Sequence, residues 1–108
     1  MRGVHTMIAE GVVLEVELGG DAPGSVENAD AWVTLADGTR WTATFLTYAE
    51  IGWIMGWHRR SGENLSGGHV TCPPDLVVLA EPGVRAMLDA VVDLVATGGH
   101  ESVLHRIP

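Results

Sequence analysis

Histidines, arginines and a lone cysteine are the residues whose chemistry would matter first. His58-Arg59-Arg60 stands beside a glycine-rich stretch that includes Gly62 and Glu63. Two guanidinium groups there would hold a carboxylate or a phosphate, and His58 would exchange a proton near neutral pH. His58 and Arg59 are therefore the candidate catalytic pair of an enzyme reading. The same cations at a helix C-terminus also serve simply to complement the helix dipole. His69 and Cys72 offer two soft ligands, but residues three apart on a strand point to opposite faces. No CxxC, HxxxH or HExxH pattern supplies the rest of a zinc set, so no metal and no cofactor is expected. Cys72 reads as a small buried thiol. His100 and His105 read as solvent-exposed histidines in a C-terminal tail covering 99–108. Gly52/Gly56 and Gly67-Gly68 match neither a P-loop nor a dinucleotide fingerprint.

With no catalytic set legible, the large aromatic and charged residues carry more weight. Four tryptophans occur at 32, 41, 53 and 57. Trp41 falls on the inner face of a hairpin and is expected in the core, while Trp32 falls on the outer face. Trp53 and Trp57 stand four apart, off the main apolar stripe of their helix. Tryptophans on a second face belong either to a helix buried on two sides or to a partner interface, where Trp is enriched at energetic hot spots. Fourteen acids against six bases, all arginine, give a net charge of −8. That charge opposes binding to a phosphate backbone and steers basic protein partners inward. Glu15, Glu17, Asp89 and Asp93 join Trp32, Trp53 and Trp57 as candidate partner-binding residues.

The elements that must position these residues follow from periodicity. Met7 to Leu18 alternates apolar and polar residues and reads as one long strand, with Gly11 marking a bulge or bend. Residues 19–29 (GGDAPGSVENA) read as a flexible loop. Residues 31–35 and 41–45 alternate around Asp37-Gly38, a hairpin signature, because both turn residues tolerate positive φ. Ala31, Val33, Leu35, Trp41, Ala43 and Phe45 share the inner face. Thr47 through Glu50 fits a capping box, and the helix it opens runs to about Arg60. Tyr48, Ile51, Met55 and His58 form its main stripe. Residues 61–68 form a second glycine-rich loop. His69–Cys72 and Leu76–Ala80 then read as short strands separated by Pro73-Pro74. The last helix opens near Pro82 and stops at Gly98-Gly99. Its apolar stripe is Val84, Met87, Leu88, Val91, Leu94 and Val95. Residues 102–107 form a short strand or packed coil.

These elements define an α+β fold: an antiparallel sheet of about five strands with two helices packed on one face, in the order β-β-β-α-β-β-α. The 108 residues make a single domain. One cysteine excludes an intramolecular disulfide. The first residues show no signal-peptide pattern and no stretch nears the length of a membrane span, so the cytoplasm is the expected location. The absence of lysine, with abundant Ala, Gly and Val, points to a GC-rich bacterial genome.

Asp37-Gly38, Ala43-Thr44-Phe45 with Thr47, Ile54-Met55, Gly62-Glu63 and Gly67-Gly68 together resemble a pattern in small uncharacterised bacterial proteins, over about residues 31–98. Size, acidity and the lack of catalytic motifs resemble the immunity proteins that neutralise bacterial toxins. The resemblance implies no catalytic residue. It implies a protein-binding module of immunity, inhibitor or accessory type, with a basic toxin-like partner. The alternative is a small-molecule binder or pathway enzyme with a pocket near His58 and Arg59, lined also by Trp32, Tyr48 and Trp57. A homodimer joined through the tryptophan face is compatible with either.

Overall fold

The structure, a computed structural model, describes residues 3–61 and 72–108, without the side chain of His58. Alternation along the N-terminal segment does produce strand, but two strands rather than one. β1 (Val4–Ala9) and β2 (Val12–Glu17) form a hairpin with Ala9 opposite Val12. Between them, Glu10 (φ 51) and Gly11 (φ 76) both take the left-handed conformation of a tight two-residue turn. Gly11 thus marks a reversal, not a bulge. The sequence carries a trace of it. Inward residues are odd-numbered in β1 (Met7, Ala9) and even-numbered in β2 (Val12, Leu14, Val16), a change of phase that a continuous strand cannot make.

β3 (Asn28–Leu35) pairs antiparallel with β2 and with β4 (Arg40–Thr47). Across the β3–β4 pair, Val33 faces Trp41, Ala31 faces Ala43 and Ala29 faces Phe45; all six are buried. Trp32 opposes Thr42 on the other side of the sheet. The Asp37-Gly38 turn is closed by the Asp37 carboxylate, which accepts bonds from the Thr39 backbone N–H at 2.9 Å and the Thr39 hydroxyl at 2.6 Å. Those bonds, the side-chain one foremost, hold the Asp37 carboxyl below its ordinary pKa.

α1 (Tyr48–Ser61) leaves β4 directly and α2 (Val84–Thr97) follows β5 (Leu76–Leu79). β5 runs parallel to β4, so the sheet is antiparallel except for this one pair. A β–α–β crossover returns the chain to the same end of the sheet, which makes the parallel pairing natural. The expected strand at His69–Cys72 lies outside the described residues except for Cys72, which is in coil and exposed rather than buried. The tail is structured as α3 (His100–Val103) and β6 (His105–Ile107), with β6 pairing antiparallel to β4. β1 to β5 lie side by side in chain order, and β6 joins β4 beside β5.

One core holds the sheet to α2. Val12, Leu14, Val16, Val33 and Phe45 meet Met87, Leu88 and Val91, all buried. Val26, inside the segment expected as a loop, is also buried and belongs to this core. Its carbonyl accepts the Gly83 N–H at 2.8 Å, and the Pro23 carbonyl accepts the Val84 N–H at 2.8 Å. These bonds satisfy two donors at the start of α2, where no side chain caps the helix. No helix among the described residues is long and apolar enough to cross a membrane.

Candidate functional site

α1 differs from α2 in what it buries. Its N-terminus is held firmly. The Thr47 hydroxyl accepts the Glu50 N–H at 3.1 Å and donates to the Glu27 carboxylate at 3.1 Å. The Thr47 N–H bonds the Glu27 carbonyl at 2.9 Å, so the expected reach of the Glu50 side chain back to that N–H is replaced by a backbone bond. Beyond this cap, no described residue of α1 is buried. Tyr48 is 80% exposed, Trp53 60%, Trp57 44% and Met55 40%; Ile51 and Ile54 are half-buried. A helix carrying apolar residues on every side is ordinarily found in an interior; here that surface meets solvent.

Trp53 and Trp57 form one flat unit. Their rings are parallel within 2°, with centroids 6.2 Å apart. The spacing of four places them one above the other on the helix, so each ring braces its neighbour and the pair presents a pre-organised apolar slab.

The base of α1 lies against an acidic cleft. Cavities of about 350 and 220 Å³ adjoin there, lined by Glu17, Asp21, Glu27, Asp30 and Glu50 among others. β2, the 18–27 connection, β3 and the first turn of α1 each contribute at least one carboxylate. Like charges gathered along one concavity raise the local potential for cations. Among the described residues no group of three or more His, Cys, Asp or Glu is arranged to hold a metal ion.

The other residues singled out by sequence lie on separate surfaces. Glu15 and Trp32 are half-buried on the sheet face opposite the core, paired across β2 and β3. Glu15 is 3.8 Å from the Arg40 guanidinium. Asp89 and Asp93 are exposed on α2, across the sheet from Glu15 and Trp32. Asp89 is engaged by Arg85 at 3.1 Å. Arg59 is exposed on the last turn of α1. The structure therefore brings Glu17 into one region with the base of the tryptophan helix, and leaves Asp89 and Asp93 elsewhere. Asp21, Glu27 and Glu50 were not singled out. The Thr47–Glu50 cap locates Glu50 at the helix base, but only the return of residues 19–27 against that base assembles the cleft.

Two further sites have little chemistry of their own. A cavity of about 460 Å³ between β5, α2 and α3 is lined by Leu76, Val77, Ala90, Leu94 and Val103, with Asp93 and Thr97 at its rim. His100, expected in solvent, is half-buried instead, edge-on to Trp41 with centroids 5.0 Å apart. It moves inward because α3 folds the tail back beside the sheet. His105 is exposed as expected.

Fold and surface define an α+β domain with one solvent-exposed aromatic helix set beside an acidic cleft. No protein-family model, curated protein or solved structure matches the chain.

Proposed function

We propose that this chain is a small acidic protein-binding module of immunity, inhibitor or accessory type, acting in the bacterial cytoplasm by complexing a partner protein. Helix α1 is its recognition element. The observation that carries this reading is the exposure of Trp53 and Trp57 as a stacked pair on a helix with no buried described residue. Such a pair supplies an anchor of low conformational entropy, the kind that dominates interface energetics. The acidic cleft at the helix base supplies the second half of the surface. It accepts basic side chains standing next to the partner's apolar patch, and it sets encounter rate and specificity more than affinity. The net charge of −8 makes nucleic acid an unsuitable ligand for the same surface.

Photo-crosslinking tests the reading directly. A benzophenone amino acid placed at Trp57 and irradiated in the native host gives discrete protein adducts. The same group at Thr97, exposed on α2, gives none. Equal and diffuse labelling from both positions refutes the assignment of α1 as a recognition element.

A further inference from the structure

We propose that α1 pairs with α1 of a second copy of this chain, antiparallel about a two-fold axis at the level of Met55. The proposal rests on the reading of α1 as the recognition element and names its occupant.

Glu50, Trp53, Trp57 and Arg60 follow one another at spacings of three, four and three, which puts all four on one stripe of the helix. The stripe is acidic at its base, aromatic in its middle and basic at its tip. Reversed end to end, the same pattern is its own complement, as a two-fold interface requires. With the axis level with position 55 and the Met55 side chain turned away from it, Trp53 of one copy stands level with Trp57 of the other, and Arg60 stands level with Glu50. The second copy's Arg60 then meets the cleft of Glu17, Asp21, Glu27 and Glu50. Arg60 is exposed, and its guanidinium lies over Gly56, 3.4 Å from where a Cβ would stand. It therefore flanks the indoles without covering them.

Charge explains why the occupant is a second copy. The chain carries six bases against fourteen acids, and two of those six, Arg59 and Arg60, are adjacent at the tip of α1. An antiparallel pair brings the Arg60 guanidinium to the most acidic concavity described at the helix base, twice per dimer. A parallel pair would set tip against tip.

The area sets the strength. At the exposures given above, the two tryptophans leave roughly 250 Å² of surface per copy open to solvent, taking about 250 Å² for a whole side chain. Two copies withdraw about 500 Å² of indole from water, about half of the ~1,000 Å² total that a specific interface needs. An interface of that limited size belongs to the weak class, and the expected dimer dissociates in the micromolar range or above.

Sedimentation equilibrium between about 5 and 500 μM reads the association. The expected mass climbs from 11.5 kDa towards twice that value. Trp57→Ala and Arg60→Glu, both at exposed positions and checked for an unchanged thermal transition, each weaken association about tenfold or more. Register is tested by disulfide trapping in a Cys72→Ser background. Mixing Glu50→Cys chains with Arg60→Cys chains yields a covalent dimer on mild oxidation. Either chain alone does not, because like positions lie about 15 Å apart along the axis. A monomer at every concentration overturns the proposal, as does a dimer indifferent to Trp57→Ala and Arg60→Glu, or trapping equally efficient in the unmixed chains. A monomer whose residue 57 still crosslinks to one unrelated protein overturns the second copy alone and leaves the binding-module reading standing.

Discussion

Thr47→Val separates the anchoring of α1 from its composition. Thr47 is 2% exposed, and its hydroxyl is the only group lost in this near-isosteric change. That hydroxyl makes two bonds, accepting the Glu50 N–H and donating to the Glu27 carboxylate, each at 3.1 Å. Removing an N-cap acceptor costs about 1 kcal/mol. Losing a bond to a charged carboxylate costs up to about 1.5 kcal/mol, taken from the low end of its range because Glu27 is only half-buried. Valine is at ease at the end of a strand and returns a few tenths of a kcal/mol through its added methyl. The net expectation is a loss of about 2 kcal/mol, or roughly 10 °C in Tm for a domain of this size. A local effect should accompany it. An isolated helix of this length is marginal in water, and α1 has little packing to compensate, so ellipticity at 222 nm should fall before the global transition. Thr47→Ser, which keeps the hydroxyl, should restore most of both signals. Urea denaturation followed by circular dichroism and by core fluorescence measures them. If Thr47→Val lies within about 0.5 kcal/mol of the parent with unchanged helicity, the Thr47 cap does not hold α1.

Three further expectations follow from the same structure. Gly83→Ala should destabilise the chain by about 2–4 kcal/mol in urea denaturation, because φ is 102° and a Cβ would stand 2.9 Å from the Gly24 carbonyl oxygen; a loss under about 1 kcal/mol would mean that the 20–26 segment yields easily. The depressed Asp37 pKa adds stability that is present above the ordinary value of 3.8 and disappears as pH falls through the lower folded value. Thermal melts of Asp37→Asn and the parent should therefore converge as pH falls below 3.8 and keep a constant separation above it; a separation that persists unchanged into acid would assign the effect to turn geometry instead. Trp53→Ala with Trp57→Ala should leave Tm within about 3 °C, since both residues are exposed on α1, at 60% and 44%, and neither belongs to the core. A collapse of the fold would place those rings in the core.

The composition of α1 is in tension with its burial. Trp53, Ile54, Met55 and Trp57 provide more apolar surface than β4, its main neighbour, covers. Leaving that surface wet weakens the isolated domain and invites association. α2 shows the contrasting case: Val84, Met87, Leu88 and Val91 are buried along one stripe while Arg85, Asp89 and Asp93 remain outside.

Sequence by itself determined whatever depends on neighbours within a turn or a pleat. The β3–β4 hairpin followed from Asp37-Gly38 and two alternating runs, because turn chemistry and period two are local. The stripe of α2 and its stop at Gly98, which takes φ 75, followed from spacing and from the need for a left-handed residue at the helix end. The start of α1 followed from Thr47, and the off-stripe positions of Trp53 and Trp57 from counting by four. Whatever depends on distant segments meeting was decided by tertiary structure alone. Periodicity says that a helix has two apolar sides; it cannot say whether the sheet supplies cover for both, and here it does not. The reversal at Glu10-Gly11 was hidden because glutamate rarely takes positive φ. Val26 reached the core, and His100 the edge of Trp41, because long-range backbone pairing drew a loop and a tail inward. The acidic cleft exists only because residues 19–27 fold against the base of α1, bringing together carboxylates separated along the chain by more than thirty positions, from Glu17 to Glu50.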